Sequence, residues 1–401
     1  MQIHRRSFQF LTLAFVSLLL FARCGNAPDP HTVTREAAPR EILIGEFGSL
    51  TGPQATFGQS THNGVVLAVN EINRDGGIHG AKLRVITEDD QSKPEEAANA
   101  VTKLISHDNV VALIGEVASS ASLAAAPIAQ SNRVPMISPA STNAEVTTKG
   151  DYIFRVCFTD DYQGRALANY TTNQLGFRRV ALLTDVKSDY SRGLAKEFEN
   201  EFSKHGGQIV ARASYANGDS DFRAQLTIIR HAKPDAVFVP GYYTDVGQIA
   251  IQAKDLGLTV PLFGGDGWES PKLIEIGGAA LNGSFYSNHY FHGDPTPVVA
   301  KFVKDYKALH GSTPDAFAAL AYDAIHVLAD ALRRSDGKRG QHLRDALAAT
   351  HGFSGVTGSI TLDADRNASN KKLVIEEIRN GVLAYKGSAG IEHGTNTASL
   401  R

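Results

Sequence analysis

VVALIGEVASSASLAAAPIAQSNRVPMISPAST, residues 110–142, is the stretch that decides the fold. Val110 to Ile114 is a short, largely β-branched apolar run, the pattern of a buried strand. Gly115 to Ser122 is a turn of small residues, and Ser122 to Gln130 is alanine-rich and favours helix. Val134 to Ile137 is a second strand, closed by Ser138-Pro139-Ala140-Ser141-Thr142. Two hydroxyl-bearing turns thus fall side by side at the carboxyl ends of two parallel strands, the edge where open α/β sheets bind ligands. A helix N-terminus directed at that crevice favours an anion.

Towards the N-terminus the same alternation continues. Ile42 to Phe47 reads as a strand, Gly48 to Pro53 as a turn, and Gln59 to Arg74 as a helix with Val65, Val66, Ala68, Val69 and Ile72 on one face. Lys82 to Asp89 is a strand, and a helix begins at Pro94, where proline suits the first turn. Four strands alternating with helices predict a parallel sheet covered on both faces. From Thr159 the pattern restarts. Helices are predicted near Tyr162–Leu175, Ser191–His205, Asp221–Arg230 and Asp245–Leu256, with strands at Arg179–Thr184, Gln208–Ala213, Ala236–Val239 and Pro261–Phe263. A strand near Gly283–Asn288, three helices between Pro297 and Ala349, and strands at Gly358–Leu362 and Lys372–Arg379 complete the chain, with a frayed tail expected from Gly387. Periodicity therefore predicts two similar α/β lobes and leaves open how often the chain crosses between them.

With 401 residues, 42% hydrophobic and 20% charged, the chain has material for two cores. Its formal net charge of −2 points away from nucleic-acid partners. Arg5-Arg6 followed by an apolar run from Phe8 to Ala22 reads as a cleaved export signal, shorter than a membrane span. Residues 1–23 carry three arginines and no acid, so their removal leaves 37 basic and 42 acidic residues. Residues 24–40, rich in Pro, Asp, Thr and Ala, read as a linker. Of the two cysteines, Cys24 directly follows the apolar run and resembles the lipidated cysteine of a bacterial lipoprotein. Arg23 departs from the small residue that such a site wants, so a soluble periplasmic protein with an incidental cysteine is the other reading. Cys157 falls in a strand-like run and reads as a core residue.

Ser119, Ser120, Ser141 and Thr142 lie in the two turns, where hydroxyls either cap helices or, with adjacent amides, bind a carboxylate. Asp266, in Gly264-Gly265-Asp266-Gly267, is either a turn residue or an anion placed for a ligand ammonium. Tyr190 and Tyr242 sit at loop positions that often line pockets, and Phe57 suits a pocket wall or a core equally. No nucleophile elbow, phosphate loop, metalloprotease helix or Cys-x-x-Cys is present, and the 14 histidines show no metal-ligand spacing. Neither an enzyme nor a cofactor is therefore expected.

Several pieces, in order, resemble the solute-binding proteins of ABC importers for branched-chain amino acids: Ser49-Leu50-Thr51-Gly52-Pro53 with Phe57-Gly58, Asn70-Glu71-Ile72-Asn73 leading into Gly76-Gly77-Ile78-His79-Gly80, Asp89-Asp90, Ile137 to Thr142, and Gly241 to Gln248. The resemblance spans about Glu41 to Lys386. It implies a periplasmic binding protein type I fold, two doubly wound parallel-sheet lobes joined by a three-segment hinge, with residues 41–159 plus 290–360 in one lobe and 160–289 plus 361–386 in the other. It places the ligand α-carboxylate on Ser119, Thr142 and the backbone of Ala140, with Ser141 adjacent. It places the α-ammonium on Asp266, Tyr242 and the Ala140 carbonyl, and the side chain against Tyr190 and Phe57. Two departures stand out: Asp266 replaces the family's common Glu, and Ala118 stands where a disulfide cysteine would be. The expected partners are a small amino acid and a membrane permease with its ATPase, for an exported, monomeric protein. Amides, aromatic acids and short carboxylates are alternative ligands, and a membrane sensor is an alternative partner.

Overall fold

A computed structural model describes residues 41–390. The export signal, the linker with Cys24, and residues 391–401 of the expected tail lie outside the described residues.

The first half alternates strictly: β1 (Glu41–Gly48), α1 (Ala55–Arg74), β2 (Lys82–Asp89), α2 (Pro94–Ser106), β3 (Ala112–Ile114), α3 (Ser119–Ser131), β4 (Met136–Ser138), α4 (Glu145–Thr148) and β5 (Ile153–Arg155). These strands form one five-stranded parallel sheet in the order β2-β1-β3-β4-β5. The order reverses between β1 and β3, so the loops after them, at Ser49 and at Glu116 to Ala118, open a crevice at the carboxyl edge.

The second half repeats the plan: α5 (Asp160–Asn169), β6 (Arg179–Asp185), α6 (Asp189–Lys204), β7 (Gln208–Tyr215), α7 (Arg223–His231), β8 (Ala236–Phe238), α8 (Tyr243–Asp255), β9 (Leu262–Gly264), α9 (Pro271–Gly277) and β10 (Phe285–Asn288). Here the order is β7-β6-β8-β9-β10, and the switch falls between β6 and β8. Tyr190 follows β6 and Tyr242 follows β8, so both flank it.

Next come α10 (Pro297–His310), α11 (Ala316–Arg334), α12 (Gln341–Ala348), a small antiparallel sheet of β11 (Phe353–Gly355), β12 (Gly358–Leu362) and β13 (Ala368–Ser369), and then β14 (Leu373–Arg379) and β15 (Val382–Ala389). β14 and β15 extend the second sheet antiparallel beyond β10. α11 returns to the first sheet and packs on α1, where a Cβ on Gly64 would stand 2.2 Å from the Ala318 carbonyl oxygen. Only glycine permits that approach. Leu67, Phe302, Tyr306 and Ala318 form a core on this flank, separate from the main one.

Three expectations shift. α3 starts at Ser119 rather than Ser122, because the Ser-Ser-Ala-Ser run enters the helix instead of prolonging the turn. The helix expected to Leu175 ends as α at Asn169 and widens into a π turn over Tyr170–Gln174. There Thr171 and Thr172 donate their hydroxyls back to the Leu167 and Ala168 carbonyls at 2.8 and 2.7 Å, competing with the helical ladder. The expected tail begins too early: residues 387–389 belong to β15, where Gly387 takes φ 154° at a bulge opposite Ile375 and Glu376. A polar strand at a sheet edge carries no periodic apolar signal. Cys157 lies just past β5, fully buried, with its thiol pushed up to about 12 by burial, as suits an inert core residue.

Candidate functional site

The wall contributed by the first sheet is built around two turns. α3 is capped at Ala118, with no side chain accepting from its first turn, and its first backbone bond comes from Ala121. The amides of Ser119 and Ser120 precede that ladder, as at any helix N-terminus. Neither serine caps. Ser119 Oγ accepts from the Asn143 amide at 3.2 Å, linking the two turns. Ser120 Oγ donates to Asp189 Oδ2 at 2.8 Å and accepts from the Asp189 amide at 3.1 Å, reaching the facing wall. Ala140 and Thr142 are buried beside them. Ser141, expected on the ligand, is turned away: its hydroxyl lies 2.8 and 3.0 Å from the Glu116 and Val117 carbonyls and 2.7 Å from Ser122 Oγ. That is a scaffold role, imposed by the need to satisfy buried carbonyls.

Arg155 locks the same turn from below. Its fully buried guanidinium donates to the Ser141 carbonyl at 2.7 Å and the Asn143 carbonyl at 2.8 Å, on either side of Thr142. Glu116 braces the other turn. It accepts from the Ser49 amide and hydroxyl, both at 2.9 Å, and from the Ala118 amide. Burial, then the charge of Asp90, raises its carboxyl to about 8. Ser49 Oγ also lies 3.0 Å from Asp90 Oδ1, and one hydroxyl proton cannot serve two carboxylates. A proton is therefore held in this cluster.

The facing wall is aromatic. Tyr190 and Tyr242 stack with centroids 5.3 Å apart and planes 8° from parallel. Phe57 meets Tyr242 edge-on at 5.5 Å and Tyr243 at 5.2 Å. The Gly264-Gly265-Asp266-Gly267 loop is glycine-rich for a steric reason. A Cβ on Gly265 would lie 2.4 Å from Tyr190 Oη, and one on Gly264 would lie 2.0 Å from Trp268 Nε1. Tyr190 Oη accepts from the Gly267 amide at 3.1 Å, which orients Asp266. Asp266 is buried and accepts from Gln163 Nε2 at 2.9 Å and His289 Nε2 at 3.1 Å.

Asp160 carries no signal in the sequence beyond that of an acid in a helix first turn, yet it is the most exceptional group of the site. It is buried, and among the described residues only the Thr142 hydroxyl comes close to its carboxylate, without a well-aligned hydrogen bond to either oxygen. Burial pushes its carboxyl well above the ordinary range, with the Thr142 side chain opposing and Asp266 adding to the rise. A Cβ on Gly193 would come within 3.1 Å of its Oδ2, so α6 presses close against it. Asn143 Nδ2 donates to the Asp189 carbonyl at 2.8 Å, and Thr56 Oγ1 lies 3.0 Å from Ser270 Oγ; with Ser120–Asp189, these bonds join the walls.

The site therefore brings together a helix N-terminus and hydroxyls with two buried carboxylates and two tyrosines. Such a set of groups has the chemistry to meet both charges of a small zwitterion, since stripping water from both is tolerable only where each meets its own partners. Among the described residues no group of three or more His, Cys, Asp or Glu side chains is arranged to hold a metal ion, and no helix is long and apolar enough to cross a membrane.

Two α/β sheets with ligand-facing loops at both switch points define a bilobal binding protein. The chain belongs to the periplasmic binding protein family, whose model matches residues 41–381. That is a solute-binding class rather than an enzyme class, and its fold is periplasmic binding protein type I. The chain is 32% identical over 320 residues to the Leu/Ile/Val-binding protein BraC3 of Rhizobium johnstonii, covering 79% of this chain and 84% of that one. It is similar to the crystal structure of a leucine-binding protein of Thermotoga maritima, with 38% identity, a TM-score of 0.84, and coverage of 87% and 99%. It is also similar to the branched-chain amino acid transporter substrate-binding protein of Streptococcus pneumoniae in complex with isoleucine, with 34% identity, a TM-score of 0.82, and coverage of 87% and 100%.

Proposed function

We propose that this chain captures a small aliphatic amino acid outside the cytoplasm, between two closing lobes, and delivers it to an ABC permease and its ATPase. The observation that carries this reading is the orphan carboxylate of Asp160, buried near Asp266 and tied to the turn that holds Thr142. A ligand ammonium supplies the donors that Asp160 lacks. In this reading Asp160, Asp266, Tyr242 and the Ala140 carbonyl take the ammonium. Ser119, Thr142 and the amides of the two turns take the carboxylate. Phe57 and Tyr190 wall an apolar side chain, which favours the aliphatic ligands named for the relatives.

The lobes are residues 41–159 with 290–360, and 160–289 with 361–389, and ligand contacts to both drive closure. The protein acts as an exported monomer, periplasmic or held at a membrane by lipid on Cys24.

Calorimetric titration with leucine, isoleucine and valine tests the reading. Binding of at least one, with glutamate and lysine inactive, is the expected result. A chain that ignores every α-amino acid and responds only to aromatic acids or amides would overturn it.

A further inference from the structure

Asp189, the first residue of α6, spends its amide, its carbonyl and its carboxylate on the two turns of the first sheet. The amide donates to Ser120 Oγ at 3.1 Å, and Oδ2 accepts from the same hydroxyl at 2.8 Å. The carbonyl accepts from Asn143 Nδ2 at 2.8 Å. A separate junction between the walls is made by Thr56, whose hydroxyl lies 3.0 Å from Ser270 Oγ and whose amide donates to Tyr243 Oη at 3.4 Å.

The groups around Asp189 are held ready for these bonds. Its other oxygen, Oδ1, pairs with Arg192, which also donates to the Val186 carbonyl at 2.6 Å, so the carboxylate is fixed with Oδ2 towards Ser120. Asn143 Oδ1 accepts from the Glu145 amide at 2.9 Å, which turns Nδ2 towards Asp189. A Cβ on Gly193, one turn along α6, would stand 2.8 Å from that Nδ2, so a residue without a side chain makes room for Asn143. Ser120 and Asp189 also lie in the first turns of α3 and α6. Both helix ends carry partial positive charge, and the carboxylate between them offsets the repulsion of bringing them together.

These residues are chain neighbours of the site. Ser120 follows Ser119, Asn143 follows Thr142, and Asp189 precedes Tyr190. A ligand that orders the site residues orders the backbone that carries Ser120, Asn143 and Asp189.

We infer that Asp189, gripped by Ser120 and Asn143, is a latch that keeps the two walls together and sets how long a bound ligand stays, without touching the ligand itself. The inference rests on the reading of the lobes as a closing pair and adds what holds them closed. Because the three bonds share one residue, opening breaks them together. Association starts from the open form, so the latch acts on dissociation.

Two measurements on the full chain test it. The first needs no ligand. T56C/S270C puts a cysteine pair at the separate junction, and oxidation traps the closed form at a rate set by its population. Adding S120A is expected to slow formation of the 56–270 link, followed by mass spectrometry of the joined peptides, about tenfold. The second is stopped-flow dissociation of leucine. S120A and D189A are each expected to speed it about tenfold, with association changed less than about twofold. The double variant should be little faster than the faster single one, because both changes remove the same bond. Trapping at the parental rate in S120A overturns the latch. Leucine dissociation unchanged in both variants overturns its control of ligand lifetime, and effects that multiply in the double variant overturn the pairing. A chain that binds no amino acid, yet is trapped more slowly with S120A, sinks the transport reading and keeps the latch.

Discussion

Asp160 donates its own amide to the Thr142 carbonyl at 2.8 Å, so the site's unpartnered acid is tied to the turn expected to hold the ligand carboxylate. Any movement of that turn moves both ends of a bound zwitterion together.

The isosteric change Asp160→Asn tests the acid. It replaces a carboxyl whose ionisation burial opposes with a neutral amide, so the ligand-free protein should gain on the order of 1–3 kcal/mol. Leucine affinity should fall about 100-fold or more, since an ammonium loses its charged partner. Urea unfolding and calorimetric titration on one preparation read the two effects. Affinity unchanged in the variant would remove Asp160 from the site.

Arg155→Met strips two donors from the Ser141 and Asn143 carbonyls. A loss of about 3 kcal/mol in unfolding free energy is expected, with weakened leucine binding as the Thr142 turn loosens. Arg155→Lys should recover only part of both, because one ammonium nitrogen cannot stand in both places from which Nη1 and Nη2 of the planar guanidinium reach the two carbonyls. Full recovery by Lys would show that charge, not geometry, is what the turn requires.

Ser119 and Ser141 look alike in the sequence and should separate in experiment. Ser141→Ala should cost about 1–2 kcal/mol of stability with leucine affinity little changed. Ser119→Ala should lower affinity about tenfold or more with a smaller effect on unfolding. The reverse pattern would exchange their roles.

The Ser49–Asp90–Glu116 cluster implies a pH dependence. Burial raises the carboxyls of Asp90 to about 6 and of Glu116 to about 8 in the folded chain, above their values when unfolded. The folded state thus holds protons that the unfolded state releases, and stability falls as pH rises through that window. Asp90→Asn keeps the bonds accepted by Oδ1 from Ser49 and Ser92 and fills the position of Oδ2, which has no partner. It should flatten the decline and add on the order of 1–3 kcal/mol at pH 8. Thermal unfolding from pH 5 to 9 is the measurement, and an unchanged slope would place the titration elsewhere.

The sequence by itself determined the two-lobed α/β plan, because strand and helix periods are local. It also determined where the loops carrying Ser119, Thr142, Tyr190, Tyr242 and Asp266 fall, because small and polar residues interrupt those periods. Residues such as Asp160, Arg155 and Glu116 were beyond it. An acid in a helix first turn, an arginine ending a strand and a glutamate in a turn have ordinary solvent-facing readings. Their burial follows from contacts with residues far along the chain, such as Gly193 against Asp160 and Ser49 against Glu116. Ser141 illustrates the same limit at short range. In an irregular turn no period says which of two adjacent hydroxyls faces the cleft, and only the carbonyls of Glu116 and Val117, brought in by the neighbouring strand, decided it.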